Sequence, residues 1–576
     1  METFHWLDWT VIGLFMVSLV GTIVWAVRKR EANASDYFLS GREAGWVRIG
    51  ASIFSSNIGS EHLVGLAGAG FATGMAMAHW EMQGWMILIL GWVFVPLYDR
   101  IKVFTMPEFL ERRFSAGSRS VLSIISMVSY VMTKIAVTVY AGGVVFKTVF
   151  GIESLNILGH NVDFFWISAI GLVVITGIYT IAGGMRVIMY TAVLQTPVLL
   201  LGSIFILSIG LHRLGGWHNF ETIIRAAHPT NLHLWKSMND PNFPWLGVLG
   251  GSAIIGFWYW CTDQYIVQRV LAGRNQQQSR RGSIFAGYLK LLPVFIFLVP
   301  GMIAFALSSK GLLNMPAGPH AGDAAFSSLV AQLLPVGVKG LVVCGLLTAL
   351  MASLSSKFNA SATLFTVDFY QKWHPTASGK QQVLVGRLAT TVIVLLGILW
   401  IPVMKSLGNV LYEYLQNVQG LLAPAISSVF IMGVFWKRTS DKASFWTMAI
   451  GFSIAMIRLI SDAVIGSQIK AIHAASTDPA TVQMQLQVLA AKYGFFYHLA
   501  AINWLFFCEY LFLLCIVLLV VISLISKAPS DTQLQYSYSG ATPEERKATK
   551  ESWNWKDVVL SLGVVAIVVC FYIKFW

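Results

Sequence analysis

The stretch ASIFSSNIGSEHLVGLAGAG, Ala51 to Gly70, decides how the chain folds. It is long and apolar enough to enter a membrane, yet its middle holds Ser55, Ser56, Asn57, Gly59, Ser60, Glu61 and His62. A charged or amide side chain at membrane depth costs several kcal/mol unless it finds a partner. Serine and glycine also weaken a continuous helix. Together these residues predict a broken membrane helix whose freed backbone groups and side chains bind a ligand.

The rest of the chain fits that setting. Of 576 residues, 56% are hydrophobic and only 12% are charged, too few for the surface of a soluble protein. Apolar runs of about 20 residues recur along the whole length, each enough to cross the hydrocarbon core. One large helical bundle in a lipid bilayer therefore fits better than several soluble domains. The net charge of +13 is not a nucleic-acid signal, because Lys and Arg gather in alternate loops, as the positive-inside rule produces. The five cysteines lie in or beside apolar segments without metal-ligand spacing and read as buried thiols. The N-terminal METFHWLD lacks the basic region of a cleavable signal, so the first apolar run reads as a retained span.

The pattern predicts an all-α polytopic membrane protein with about fourteen transmembrane helices. An extra N-terminal helix covers 9–27 and is followed by Arg28, Lys29 and Arg30, which places the N-terminus outside. The ninth span is a long segment from about Gly322 to Tyr370, rich in small residues. Peripheral helices occupy 445–576, with an amphipathic external segment at 466–493 and a polar, mobile cytoplasmic stretch at 527–556. The last span leaves the C-terminus outside as well. The expected location is a cell membrane, multi-pass (a bacterial inner membrane).

Further segments share the character of the first. His79, Trp80, Glu81 and Gln83 open the third span; Tyr259, Trp260, Thr262, Asp263 and Gln264 lie in the seventh; Tyr412, Glu413, Gln416, Asn417 and Gln419 lie in the eleventh; Lys290 joins from the eighth. Aromatic faces mixed with acids, amides and one lysine suit a sugar ring and its hydroxyls. Each also has a plainer reading. Glu81 caps a helix, Tyr259 and Trp260 form an interfacial belt, Lys290 pairs with an acid for packing, and His62 is a satisfied helix histidine. In the ninth span, Ser353, Ser355, Ser356, Asn359, Ser361 and Thr363 sit among small residues. Such runs serve close helix packing, and their hydroxyls also suit a hard cation such as Na⁺.

The motifs SSNIGSEHLVGLAGAG, WYWCTDQYIVQR, GYLKLLPVFIFLVPGM, FNASATLFTVDFY and LLAPAISSVFIMGVFWKR resemble the sodium/solute symporter family, and within it the sodium/glucose cotransporters. The resemblance implies a LeuT-like core of two inverted five-helix repeats, at 46–211 and 243–436. It implies sugar ligands at Asn57, His62, Glu81, Tyr259, Trp260, Lys290 and Gln416, and gates at Leu66, Trp80, Tyr259 and Tyr412. It implies a Na⁺ site at Ser55 and Ile58 (carbonyls), Ala349 (carbonyl) and Ser353 (hydroxyl). Three departures stand out. Ala352 precedes Ser353 where the family often has two serines. Ala192 stands where an acid is usual, which favours one Na⁺ per sugar as the coupling stoichiometry. Gly84 and Gly256 replace frequent polar side chains, which leaves the sugar open.

The implied activity is sodium-coupled symport of a small-molecule sugar, a hexose such as glucose or galactose. Inositol or another polyol, proton coupling, and a transporter-like sensor remain alternatives. An enzyme is not expected, since no triad, metal cluster or phosphate loop is visible. The oligomeric state is open.

Overall fold

The computed structural model describes residues 4–28, 33–59, 61–157, 159–316, 321–406, 411–475 and 478–576. The expected all-α membrane architecture is present. Among the described residues, ten helical runs are long and apolar enough to cross a membrane. One of them, Phe164–Leu214, is 51 residues long and turns sharply at Gly183 and Gly184, so it holds two of the expected spans. Gly184 has φ +45°, and a Cβ there would stand 2.4 Å from the Tyr37 carbonyl oxygen, so only glycine fits the corner. The one sheet among the described residues is a hairpin in which Ser154–Ile157 pairs antiparallel with His160–Asp163.

Among the described residues, two of the breaks in membrane helices bear on the site, each passing through an extended residue. The first of these helices runs over Trp46–Asn57, turns extended at Ile58 (φ −73°, ψ 119°), and resumes through a π-helical turn, Glu61–Leu66, into Ala67–Thr73. The second runs over Trp245–Phe257 and a π-helical turn, Trp258–Thr262, then turns extended at Asp263 (φ −74°, ψ 126°) before Gln264–Leu271. Non-helical backbone at membrane depth is tolerated only where protein or a cavity surrounds it. Every described residue from Ala51 to Gly68 is buried.

The helix Val338–Phe365 passes through the centre of the bundle and packs against Phe164–Leu214 and the first broken helix. The second half of that broken helix meets Leu298 and the helix Val299–Ser309 backbone to backbone. A Cβ on Gly70 would come within 2.2 Å of the Leu298 oxygen, and one on Gly301 within 1.9 Å of the Ala67 oxygen.

Two expectations are corrected. The ninth span is not continuous from Gly322. Ala325–Leu333 forms a separate helix, Leu334 turns extended, and Gly337 (φ +82°) precedes Val338–Phe365. Pro335 cannot supply the N–H that a continuous helix needs, and glycine takes the positive φ at no steric cost. The polar stretch 527–556 packs instead of hanging free. Asp531–Leu534 and Pro543–Glu551 both begin with capping boxes. Arg100 donates to the Ser537 carbonyl (2.7 Å), Gln533 to the Phe114 carbonyl (2.8 Å) and Arg280 to Ser552 Oγ (2.7 Å).

Candidate functional site

Each interruption contributes one side to a single cavity. Asn57 ends the first half of the first broken helix, and Tyr259 lies in the π-helical turn of the second. The Tyr259 hydroxyl donates to Asn57 Oδ1 at 2.8 Å, so one hydrogen bond joins the two breaks. Asn57 Nδ2 lies 3.4 Å from His62 Nε2. Opposite them, a short helix, Ala78–Glu81, ends at a turn and a new helix starts at Gly84. The turn matters because residues two apart on a straight helix point about 200° apart. Broken there, the chain brings Glu81 and Gln83 to the same wall.

Glu81 accepts from Lys290 Nζ at 2.5 Å through Oε2, and His62 Nε2 lies 3.3 Å from the same oxygen. Glu81 is 3% exposed and Lys290 4%. Burying either charge alone would be very costly, and the short contact is what a charge-assisted hydrogen bond gives. The Lys290 ammonium also lies 5.3 Å from the centre of the Trp260 ring. Trp260 Nε1 donates to Gln83 Oε1 (3.3 Å), and Gln83 Nε2 donates to the Ser252 carbonyl (2.8 Å).

The cavity these residues line is about 40 Å³, room for a few waters. Three wall residues bring buried polar atoms with no hydrogen-bonding partner among the described residues: His62 Nδ1, Trp80 Nε1 and Gln419 Nε2. Leaving a buried polar atom unpaired costs about 1–3 kcal/mol. Beneath Tyr259 the Lys134 ammonium pairs with Asp263, which also accepts from the Tyr130 hydroxyl. Aromatic rings surround that lysine, the nearest being Tyr265 at 4.2 Å.

The model of the sodium:solute symporter family matches residues 37–451, most of the chain. The chain belongs to the sodium:solute symporter family. Curated relatives include the sodium/myo-inositol cotransporter 2 of Oryctolagus cuniculus, 37% identical over 484 residues, covering 79% of this chain and 70% of that protein. The sodium/glucose cotransporter 1 of the same species is 33% identical over 559 residues, covering 92% and 80%. Among solved structures, a Na⁺-coupled sialic acid symporter in a substrate-bound outward-open state aligns at TM-score 0.71 and 19% identity, covering 91% of this chain and 99% of that one, which shows the shared fold. The protein is thus a membrane-embedded symporter of a small solute, coupled to Na⁺, and not an enzyme.

Of the residues expected to hold sugar in this symporter, Asn57, His62, Glu81, Tyr259, Trp260 and Lys290 line the cavity together. The side chain of Gln416 lies outside the described residues, as does that of the expected gate Tyr412. Trp80 lines the cavity and stacks on Trp504 at 5.8 Å, whereas Leu66 is fully buried outside the wall. Glu61, Gln83 and Gln419 also line it and were not assigned a role. Gln419 sits almost one helical turn beyond Gln416, a spacing that could have found it. Gly256 gives Gln83 its place, since a Cβ there would stand 2.6 Å from Gln83 Oε1.

The residues expected around Na⁺ are buried at the junction of the first broken helix and Val338–Phe365. Gly59, next to Ile58, packs so closely that a Cβ would lie 2.7 Å from Ser353 Oγ. Ser56 Oγ and Ser356 Oγ join the same two helices at 2.6 Å. Ser55 and Ala349 are buried on these helices too. The oxygen donors suit a hard monovalent cation. One residue there escaped the sequence reading. Lys357, in a span of small residues, donates to Ser353 Oγ at 2.6 Å. A lysine inside a membrane span was itself the signal.

Proposed function

We propose that this symporter imports a hexose such as glucose or galactose, one Na⁺ per sugar, by alternating access. The observation that carries this reading is the Lys290–Glu81–His62 chain of charge, set beside Trp260 and Tyr259 in one cavity with unpaired polar atoms. Paired donors and acceptors recognise ring hydroxyls, and the aromatic faces cover the ring. In this reading Asn57, His62, Glu81, Tyr259, Trp260, Lys290 and Gln416 hold the sugar. Trp80, Leu66 and Tyr412 close over it from outside and Tyr259 closes beneath it. The Ser55, Ile58 and Ala349 carbonyls and the Ser353 hydroxyl hold the ion.

Asn57 and Ile58 are consecutive, so ligands for sugar and ion belong to one interruption. Ion binding that favours the outward-open arrangement of this segment raises the affinity for sugar, and the coupling is reciprocal. Each Na⁺ that enters gains about 2.3 kcal/mol per 100 mV of membrane potential. Both termini lie outside in a bacterial inner membrane. The repeats span 46–211 and 243–436.

A second reading, myo-inositol as the solute, draws support from the 37% identity to a protein named a sodium/myo-inositol cotransporter. An inositol ring carries no ring oxygen and no exocyclic carbon, so a glucose–inositol pair separates the two. Proteoliposomes with an inward Na⁺ gradient should accumulate labelled glucose or galactose in preference to myo-inositol. The reverse preference selects the polyol. Undiminished uptake in sodium-free buffer under a pH gradient refutes sodium coupling, and no accumulation of any labelled hexose or polyol leaves a sensor.

A further inference from the structure

One buried charge at the ion junction takes no part in the sugar cavity. Lys357 lies one turn beyond Ser353 on Val338–Phe365 and is 1% exposed. Its hydrogen bonds go to hydroxyls: Ser353 Oγ at 2.6 Å and Thr138 Oγ1 at 3.3 Å. The Tyr265 ring lies 5.9 Å from Nζ. The charges acting on it are the carboxylates of Glu61 and Asp263 and the ammonium of Lys134, from the elements packed around it. The Ser353 oxygen is thus met both by Gly59 at the break and by a lysine ammonium.

A primary ammonium and a sodium ion ask for the same surroundings. Both carry one positive charge, and both are satisfied by oxygen lone pairs. Two such charges on one hydroxyl oxygen in a dry interior repel strongly. The lysine stem is a flexible four-carbon chain, so its head can leave without any backbone movement. Thr138, on Ala136–Phe150, already offers a second resting place along that path.

We propose that Lys357 is a tethered rival of sodium: its ammonium holds the Ser353 hydroxyl until a sodium ion takes that oxygen and the side chain swings aside. This rests on the reading of Ser353 as a sodium ligand. The apparent sodium affinity is then the intrinsic one reduced by the fraction of molecules whose lysine has swung away. Lys357 becomes a residue that sets the sodium concentration at which transport switches on.

The test is binding of radioactive ²²Na⁺ to the purified full-length protein in detergent, without sugar and at one fixed pH. The proteins compared are wild type, Lys357→Met, Lys357→Gln, Lys357→Arg, Ser353→Ala and the double variant Lys357→Met/Ser353→Ala. Lys357→Gln is the second uncharged variant if Lys357→Met does not fold. The uncharged variants should bind at least about tenfold more tightly, the factor for a competent state populated one time in ten. Lys357→Arg should stay at or below wild-type affinity, and the double variant should lose the gain. Unchanged or weaker binding in both uncharged variants, with Ser353→Ala still impaired, overturns the rivalry and leaves the sodium site standing. Full binding in Lys357→Met/Ser353→Ala overturns the Ser353 assignment itself, and the inference with it.

Discussion

The Glu81–Lys290 pair separates packing from recognition. If the pair exists only to satisfy two buried charges, neutralising both partners restores a sound protein that still binds its solute. If both are ligands, the same double change leaves a sound protein that has lost it. Both side chains are almost wholly buried, and Nζ meets Oε2 at 2.5 Å. Removing one partner, by Lys290→Met or Glu81→Gln, leaves an uncompensated or under-solvated group, and breaking such a pair costs about 3–5 kcal/mol. The single variants should therefore melt well below wild type. The double variant Glu81→Gln/Lys290→Met removes both charges together and should recover most of that loss. Its sugar affinity should not recover. Two charge-assisted hydrogen bonds to hydroxyls, each about 1.5–3 kcal/mol, amount to a loss of two to four powers of ten in affinity. Thermal unfolding and equilibrium binding of labelled sugar on the same preparations measure both quantities. A double variant that melts like wild type and binds sugar with wild-type affinity refutes the recognition role.

The other predictions are simpler. Ser353→Ala should raise the sodium concentration for half-maximal uptake by about tenfold, the effect of losing roughly 1.4 kcal/mol of ligand binding; an unchanged sodium dependence in proteoliposomes counts against the site. Gly256→Ala places a methyl 2.6 Å from Gln83 Oε1, the far end of a flexible side chain. It should lower sugar affinity severalfold while leaving the melting temperature near wild type, as binding and unfolding of one sample will check. Gly301→Ala drives a methyl into the Ala67 backbone oxygen, which cannot step aside. It should destabilise by about 3 kcal/mol, whereas Gly13→Ala, inside the helix Trp6–Val27 with nothing within 4 Å, should melt at or slightly above wild type.

How much of this was legible in the sequence depended on the kind of signal. Costly polar groups in apolar runs are visible one residue at a time, so Asn57, His62, Glu81, Tyr259, Trp260 and Lys290 could each be picked out before any fold was known. The break at Ile58 was also readable, because serine and glycine cluster around it. Which of the polar residues share a wall depends on chain direction after a turn. Gln83 reaches the wall beside Glu81 only because the helix stops between them, and hydropathy carries no trace of that stop. Pro335 and Gly337 did announce a break in the ninth span, but the apolar run on both sides masked it. The docked stretch 527–556 reads as polar and loose by composition. Its order comes from arginines elsewhere in the chain, Arg100 and Arg280, that cap its carbonyl and hydroxyl oxygens.

The two glycine crossings, Gly70 on Leu298 and Gly301 on Ala67, have a mechanical consequence. Backbones in direct contact at these two points cannot slide past one another without collision, and the Phe71 and Phe305 rings, 5.7 Å apart, pack edge to face between the same helices. The second half of the first broken helix and Val299–Ser309 are therefore keyed together and travel as one piece. Any rocking that opens the cavity has to be taken up elsewhere, and the extended residue Ile58 is the nearest joint. A label on either of these two helices would report the same displacement.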